Sequence, residues 1–168
     1  ATAHHQDDLM ETFFLNLSRK TGIKGLTGIK VKSGKIIRPL MFSGRSGIEQ
    51  YAMQQSIDFR DDSTNIETVF QRNFIRHNII PLFTQLNPAF KKNFLATIQN
   101  LKSAEDVFSE RIETWKQKVM QQTSNGAVID ISLLLSVSFP EILLYEILSD
   151  YQFNPSVSGQ VFQSLGTD

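Results

Sequence analysis

Phe94, Ile98, Leu101, Phe108, Ile112, Trp115 and Val119 recur in steps of three, four and seven. Only a helix returns such positions to one face over so many turns. Ahead of them, Asn87-Pro88 supplies a side-chain cap and then a proline, whose missing N–H costs nothing in a first turn. The spacing therefore predicts one long helix with a weak point near Ser103, ending at Ser124-Asn125-Gly126. Unbroken, it would span about 50 Å at 1.5 Å per residue, a length suited to a connector between two domains. After it, Ser138 to Pro140 opens a helix through Leu148 and Asn154-Pro155 opens another, while Val128 to Leu135 reads equally as strand or helix. The expected division is 1–86, a mixed region; 87–124, the long helix; and 125–168, the start of a helical domain.

The mixed region opens with the stretch "HHQDDLMETFF". Ala1 to Ala3 reads as the end of a buried strand. Asp7 or Asp8 then complements the amino end of a helix, where N–H groups are unpaired and the dipole is positive. Leu9, Met10, Phe13, Phe14 and Leu17 supply its apolar face as far as about Lys20. "KIIRPL" reads as a strand closed by Pro39. Ile48 to Gln55 reads as a short helix, Ile57 to Phe59 as a brief strand, and Asp61 to Asn65 as a turn. From Glu67 a helix should carry Val69, Phe70, Phe74 and Ile75 inward and stop or kink near Pro81.

Composition narrows the function classes. With 40% hydrophobic residues and 13 Phe among 168, the chain can bury a real core. The absence of cysteine excludes a disulfide framework and fits a reducing compartment. No apolar run approaches the roughly 18 residues of a membrane span and no charged-then-apolar leader is present, so no membrane partner is expected. The formal net charge is zero, but its distribution is uneven: eight of the 17 basic residues fall in the 37 positions between Glu11 and Glu49, which hold no acidic residue. That window, Arg19, Lys20, Lys24, Lys30, Lys32, Lys35, Arg38 and Arg45, suits either phosphates or a solvated loop.

Three constellations can carry chemistry. On a helix starting near Gln6, Asp8, Glu11, Thr12 and Leu15 share a face, and two carboxylates three residues apart can hold an ammonium by charge-assisted hydrogen bonds. His4 and His5, just before, can contact a phosphate or orient a leaving group. The same groups also fit a metal site or plain helix capping, although three His in the whole chain and no His-Glu-x-x-His pairing argue against metal. In "RNFIRH", Asn73, Arg76 and His77 share a face opposite Phe70 and Phe74, which suits a phosphate contact or a solvated surface. "SGRSG", Ser43 to Gly47, lacks the glycine-lysine-serine ending of a Walker loop and is set aside as a nucleotide loop.

Taken together, "AHHQDDLMETFFLNLSRKTGIKGLTGI", "IIRPL", "DDSTN" and "RNFIRHNIIPLF" resemble, in that order, the tRNA(Ile)-lysidine synthetases, members of the PP-loop or N-type ATP pyrophosphatases. The resemblance reaches about residue 86, and the helical remainder looks like the family's linker and first carboxyl-terminal domain. It implies an α/β fold, a truncated Rossmann-like PP-loop ATPase domain, followed by a mainly α-helical domain. It also implies an ATP-dependent ligase that adenylates the C2 carbonyl of the wobble cytidine in a tRNA(Ile) with a CAU anticodon. The ε-amine of free lysine then displaces AMP to give lysidine. By that resemblance Asp8 and Glu11 hold lysine, and His4, His5 and Asp7 border the nucleotide and the reacting base. Arg19, Lys20, Lys24, Arg38, Arg72, Asn73, Arg76 and His77 face tRNA or phosphates, and Mg²⁺ rests partly on the phosphates of ATP with no dedicated metal ligands in the chain.

The family's Ser-Gly-Gly-x-Asp-Ser phosphate loop does not occur in this sequence. The expectation is accordingly a fragment, inactive alone, of a cytoplasmic enzyme, with an exposed sheet edge favouring a homodimer. Two other readings stay open: a metal-dependent phosphohydrolase built on His4, His5, Asp7 and Asp8, and a non-catalytic helical RNA-binding module. Within the same class, tRNA thiolases are the near alternative, and these typically bring cysteines to the reaction.

Overall fold

The computed structural model describes residues 1–58, 67–124 and 126–165. Contacts divide the chain into two compact units, Ala1–Glu105 and Asp106–Asp168.

In the first unit, helix α1 (Gln6–Ser18) starts after His5, whose backbone N–H donates to Asp8 Oδ2 at 2.9 Å. That bond satisfies a backbone donor at the helix entry, as a capping acid should. Leu9, Met10 and Leu15 are buried. Leu17, expected inward, is exposed and lines a surface groove with Phe70 and Phe74. A single turn, α2 (Ile23–Leu26), is followed by Gly28 at φ 71°, where an added Cβ would meet the Leu9 side chain at 2.6 Å. Glycine alone combines that dihedral with that closeness.

The strand expected in "KIIRPL" shrinks to two residues. β1 (Lys32–Ser33) and β2 (Ile36–Ile37) form an antiparallel hairpin with Ser33 opposite Ile36. Pro39 opens a 3-10 turn, Pro39–Phe42, instead of closing a strand. Ala1 to Ala3 is likewise not a strand: the Thr2 N–H donates to the Ile37 carbonyl at 2.9 Å without a continuing ladder. Helix α3 (Arg45–Gln54) begins three residues before the expected Ile48, since Gly44 acts as its N-cap residue. The strand expected at 57–59 is absent from Ile57 and Asp58, which are irregular; Phe59 and the turn expected at 61–65 lie outside the described residues.

Helix α4 (Glu67–Phe74) passes into a π-helical turn, Ile75–Ile79, and then into α5 (Ile80–Leu86). Pro81 explains the sequence of turns. It cannot donate to residue 77 and its ring crowds that carbonyl, so the chain widens by one residue and restarts with proline in a first turn. Ile75 is buried as expected, but Phe70 and Phe74 are 74% and 52% exposed, and Val69 lies outside the described side chains. Helix α6 (Phe90–Val119) follows. Ser103 does not break it: the helix runs through that position, where the Ser103 hydroxyl donates to the Gln99 carbonyl at 3.2 Å. Its first half closes the core, with the Phe13 ring edge-on to Phe94 at 5.0 Å and Phe83 stacked on Phe90 at 5.0 Å.

In the second unit the helix stops at Val119, short of the expected 124. β3 (Met120–Thr123) and β4 (Gly126–Ile129) pair antiparallel, Thr123 opposite Gly126. Ser124 is thus in a turn after β3 and not at a helix terminus, while Asn125 lies outside the described residues. The ambiguous Val128 to Leu135 segment is both things in succession, strand to Ile129 and then α7 (Ile131–Ser136), capped by Asp130 Oδ1 on the Leu133 N–H at 3.0 Å. Helices α8 (Pro140–Asp150) and α9 (Pro155–Ser164) begin as expected, the latter capped by Asn154 on the Val157 N–H. Ile112, Val119, Leu134, Val137, Leu143, Leu144 and Ile147 form this core, and each fully buried aliphatic side chain contributes about 2 kcal/mol.

Candidate functional site

Every carboxylate of the opening motif is engaged by the chain itself, and each differently. Glu11, wholly shielded from solvent, accepts from Arg76 Nε and meets Arg76 Nη2, both at 2.7 Å through Oε1. Its Oε2 is buried with no hydrogen-bond partner, 3.8 Å from Arg72 Nη1. Asp8 Oδ1 lies 3.8 Å from the same nitrogen, and Arg72 Nη2 reaches Thr12 Oγ1 at 3.4 Å. One face of α1 therefore presents Asp8, Glu11 and Thr12 to two guanidiniums from α4 and the π turn. Burial pushes the Glu11 carboxyl up; Arg76 and Arg72 pull it back without cancelling the rise, and Asp8 adds to it.

Asp7 points elsewhere. Its Oδ2 accepts from the backbone N–H of Arg45 at 2.7 Å, and its Oδ1 from Lys91 Nζ at 2.9 Å. Burial raises its carboxyl, but the Arg45 hydrogen bond and then Lys91 and His5 outweigh it and hold the group below 3.8.

The histidines do not converge. His4 Nδ1 is 2.9 Å from Thr2 Oγ1, and His5 Nδ1 lies 3.5 Å from Asp8 and 3.8 Å from Asp7 with no hydrogen bond of its own. No group of three or more His, Asp or Glu placed to hold a metal ion occurs among the described residues. Asp7, Asp8 and Glu11 already face Lys91, Arg72 and Arg76, so their donor set does not fit a divalent cation.

Of the basic positions, Arg72 and Arg76 are brought to the acidic face, with half-buried Asn73 between them in sequence; His77 is exposed. Arg19 is exposed and donates to Gln71 Oε1 at 2.6 Å, Lys20 is exposed in a left-handed turn at φ 58°, and Lys24 is exposed on α2. Arg38 is turned inward, donating to the Lys30 carbonyl at 2.8 Å, which makes it a brace for its own loop. Sequence patterning missed two residues. Lys91 had no local signal. Glu105, 6% exposed and bonded to Thr27 Oγ1 at 2.6 Å, occupies the gap in the apolar stripe between Leu101 and Phe108. That seven-residue step was the available sign of a buried polar group.

Comparison with known proteins adds the frame for this geometry. Residues 1–83 match the model of a PP-loop domain, and residues 122–168 match that of a TilS substrate binding domain. The chain is 35% identical over 165 residues to the tRNA(Ile)-lysidine synthase of Parabacteroides distasonis, covering 98% of this chain and 37% of that protein. It is 39% identical to the enzyme of that name from Bacteroides thetaiotaomicron and 40% to that from Porphyromonas gingivalis strain W83, over 98% of this chain and 38% and 36% of theirs. The chain thus spans a little over a third of the length of these curated relatives. The first match agrees with the Rossmann-like α/β class expected of the amino-terminal part, and the remainder is mainly helical.

Proposed function

Because the chain belongs to the tRNA(Ile)-lysidine synthase family of PP-loop proteins, we propose that the protein serves an ATP-dependent ligase joining lysine to the wobble cytidine of a tRNA(Ile) bearing CAU. The C2 carbonyl oxygen of the cytidine attacks the α-phosphorus of ATP and releases pyrophosphate. The ε-amine of lysine then forms the new bond at C2, and AMP leaves with the oxygen.

The observation that carries this reading is the buried Glu11 carboxylate with an unshared oxygen, one turn from Asp8 and facing two arginines. An amino acid carries both charges, and such a site offers carboxylates for its ammonium and guanidiniums for its carboxylate. Asp8 and Glu11 hold lysine in this scheme, and Arg72 and Arg76 are shared between them and the ligand. His4 and His5 sit at the entry of α1 and in this scheme border the reacting base, where the lysine ammonium must lose a proton before its amine can attack. Arg19, Lys20 and Lys24, exposed along the basic window, meet tRNA phosphates. Mg²⁺ accompanies the nucleotide, and no residue of this chain is assigned to it. The reaction belongs in the cytoplasm, where its three substrates meet. The exposed β1–β2 hairpin, with Val31, Ile36 and Ile37 outward, supports self-association.

The test supplies the product of the complete reading frame with ATP, radiolabelled lysine and the CAU tRNA. Label should enter the tRNA, and should not when the wobble C is replaced by U; equal labelling of both would overturn the proposal. Glu11→Gln should raise the apparent KM for lysine well beyond that for ATP, and equal rises would count against the clamp.

A further inference from the structure

Asp7 stands in the middle of the motif yet has neither oxygen turned to the face that Asp8, Glu11 and Arg72 share. We propose that Asp7 is a positioning residue: it fixes the entry of α1 against the first turn of α3 and the start of α6, and so sets the His5–Asp8 turn, without itself exchanging a proton with substrate. The proposal rests on the ligase reading for its kinetic part only.

Two separate contacts from distant segments meet on this one carboxylate. Oδ2 takes the Arg45 N–H at 2.7 Å, a first-turn donor of a ten-residue helix that has no intrahelical acceptor, and it does so from 38 residues away. The opening residue of α3 has no side-chain cap of its own: Gly44 sits at that place, and a Cβ there would come within 3.2 Å of Asp7 Oδ2. The glycine therefore leaves the space that the remote carboxylate fills. Oδ1 takes Lys91 Nζ at 2.9 Å from α6, 84 residues on. Gln6 ties the same junction with its N–H on the Ser43 carbonyl at 3.0 Å and its side-chain amide on the Phe42 carbonyl at 2.9 Å. Asp8, the next residue, is joined to His5 by the 2.9 Å capping bond. Moving Asp7 moves the turn that carries both. Its carboxyl is also held below the ordinary range, which keeps it an anion and a poor proton donor at neutral pH.

Three variants and one spectroscopic reading test this. Asp7→Asn keeps an acceptor for the Arg45 N–H, Asp7→Ala removes it, and Lys91→Met removes only the ion pair. In the product of the complete reading frame, Asp7→Asn should retain kcat within about tenfold of the parent with an unchanged pH profile. Asp7→Ala should fall at least tenfold further. Lys91→Met should lose less than either, and added to Asp7→Asn it should cost nothing more, since both act on one contact. If Asp7 moves a proton, Asp7→Asn will be as inactive as Asp7→Ala, down about a hundredfold or more, with a limb of the pH profile gone and Lys91→Met at the parental rate. That result, or parental rates in all three, overturns the proposal.

Hydrogen exchange at the Arg45 amide is read without substrate. It should be slow in the parent and in Asp7→Asn and fast in Asp7→Ala, and equal exchange in all three overturns the tether. A parent that transfers no lysine but shows the exchange pattern would sink the ligase reading and leave the tether standing.

Discussion

Glu11 illustrates how one side chain can be costly to the fold and suited to a site. Its carboxyl is raised above 4.5 by burial, more than Arg76 and Arg72 lower it. A carboxyl raised in the fold binds its proton sooner than in the unfolded chain, so it subtracts stability as pH climbs from 4.5 through the raised value. Glu11→Gln removes that cost, and Arg76, 31% exposed, can turn to water. Thermal unfolding at pH 7 should show Glu11→Gln at least as stable as the parent, and the difference should shrink on acidification as the parental carboxyl protonates. A deficit at pH 7 that closes in acid would mean that the ion pair outweighs desolvation. Combined with a raised lysine KM, the expected result marks Glu11 as kept for binding at the expense of stability. The face shared by Asp8, Glu11 and Thr12 was visible in their spacing, since helical period alone sets it. Which cation each would meet was not, because Arg72, Arg76, Lys91 and the Arg45 amide come from 38 to 84 residues away.

Among the elements, the hairpin β3–β4 is the clearest departure from what periodicity implied. The apolar steps run on to Val119 and fade, and Gln121 and Gln122 suit a helix as well as a strand. What ends α6 is pairing. Val128 and Ile129 are stiff at Cβ and favour extended backbone, and the Asp130 N–H returns to the Val119 carbonyl at 2.8 Å. Gly126 enters β4 at φ 141°, with open space where a Cβ would stand. Gly126→Ala should therefore destabilise the protein by about 1–2 kcal/mol through backbone strain alone, read as a lowered midpoint in urea unfolding. An unchanged midpoint would show that the turn relaxes without cost. The caps behaved otherwise. Asn154, read as a helix start, bonds the N–H three residues ahead, and local chemistry of that kind needs no tertiary partner to be read; Asp130 bonds in the same way, though its segment reads equally as strand or helix.

Across the molecule a formal charge of zero hides strong polarity. Eight of the 17 basic residues lie between Glu11 and Glu49, and none follows Lys118, whereas Asp130, Glu141, Glu146, Asp150 and Asp168 do. Phosphate contact is thus expected from the first unit, and the second, whose match is to a substrate binding domain, has no cation of its own from residue 119 onward. If tRNA binding is measured against salt, Lys20→Ala with Lys24→Ala should flatten the slope of log K against log salt by about 1.5–2, near 0.9 for each phosphate no longer neutralised. An unchanged slope would place the RNA elsewhere.

Properties carried by neighbours in the chain were legible without coordinates: the long helix, the cap at Asn154, the acidic face of α1, the basic window and the motif order behind the family resemblance. The helix, the cap and the acidic face depend on a period or on residues within one turn, where sequence separation and spatial separation coincide, and the basic window and motif order are properties of the linear sequence itself. The end of α6, the exposure of Phe70 and Phe74, the inward turn of Arg38, the burial of Glu105 and the engagement of Asp7 by both the Arg45 amide and Lys91 were decided by packing. Those features depend on which distant segment arrives to offer a partner or to exclude water, and no local spacing encodes that meeting.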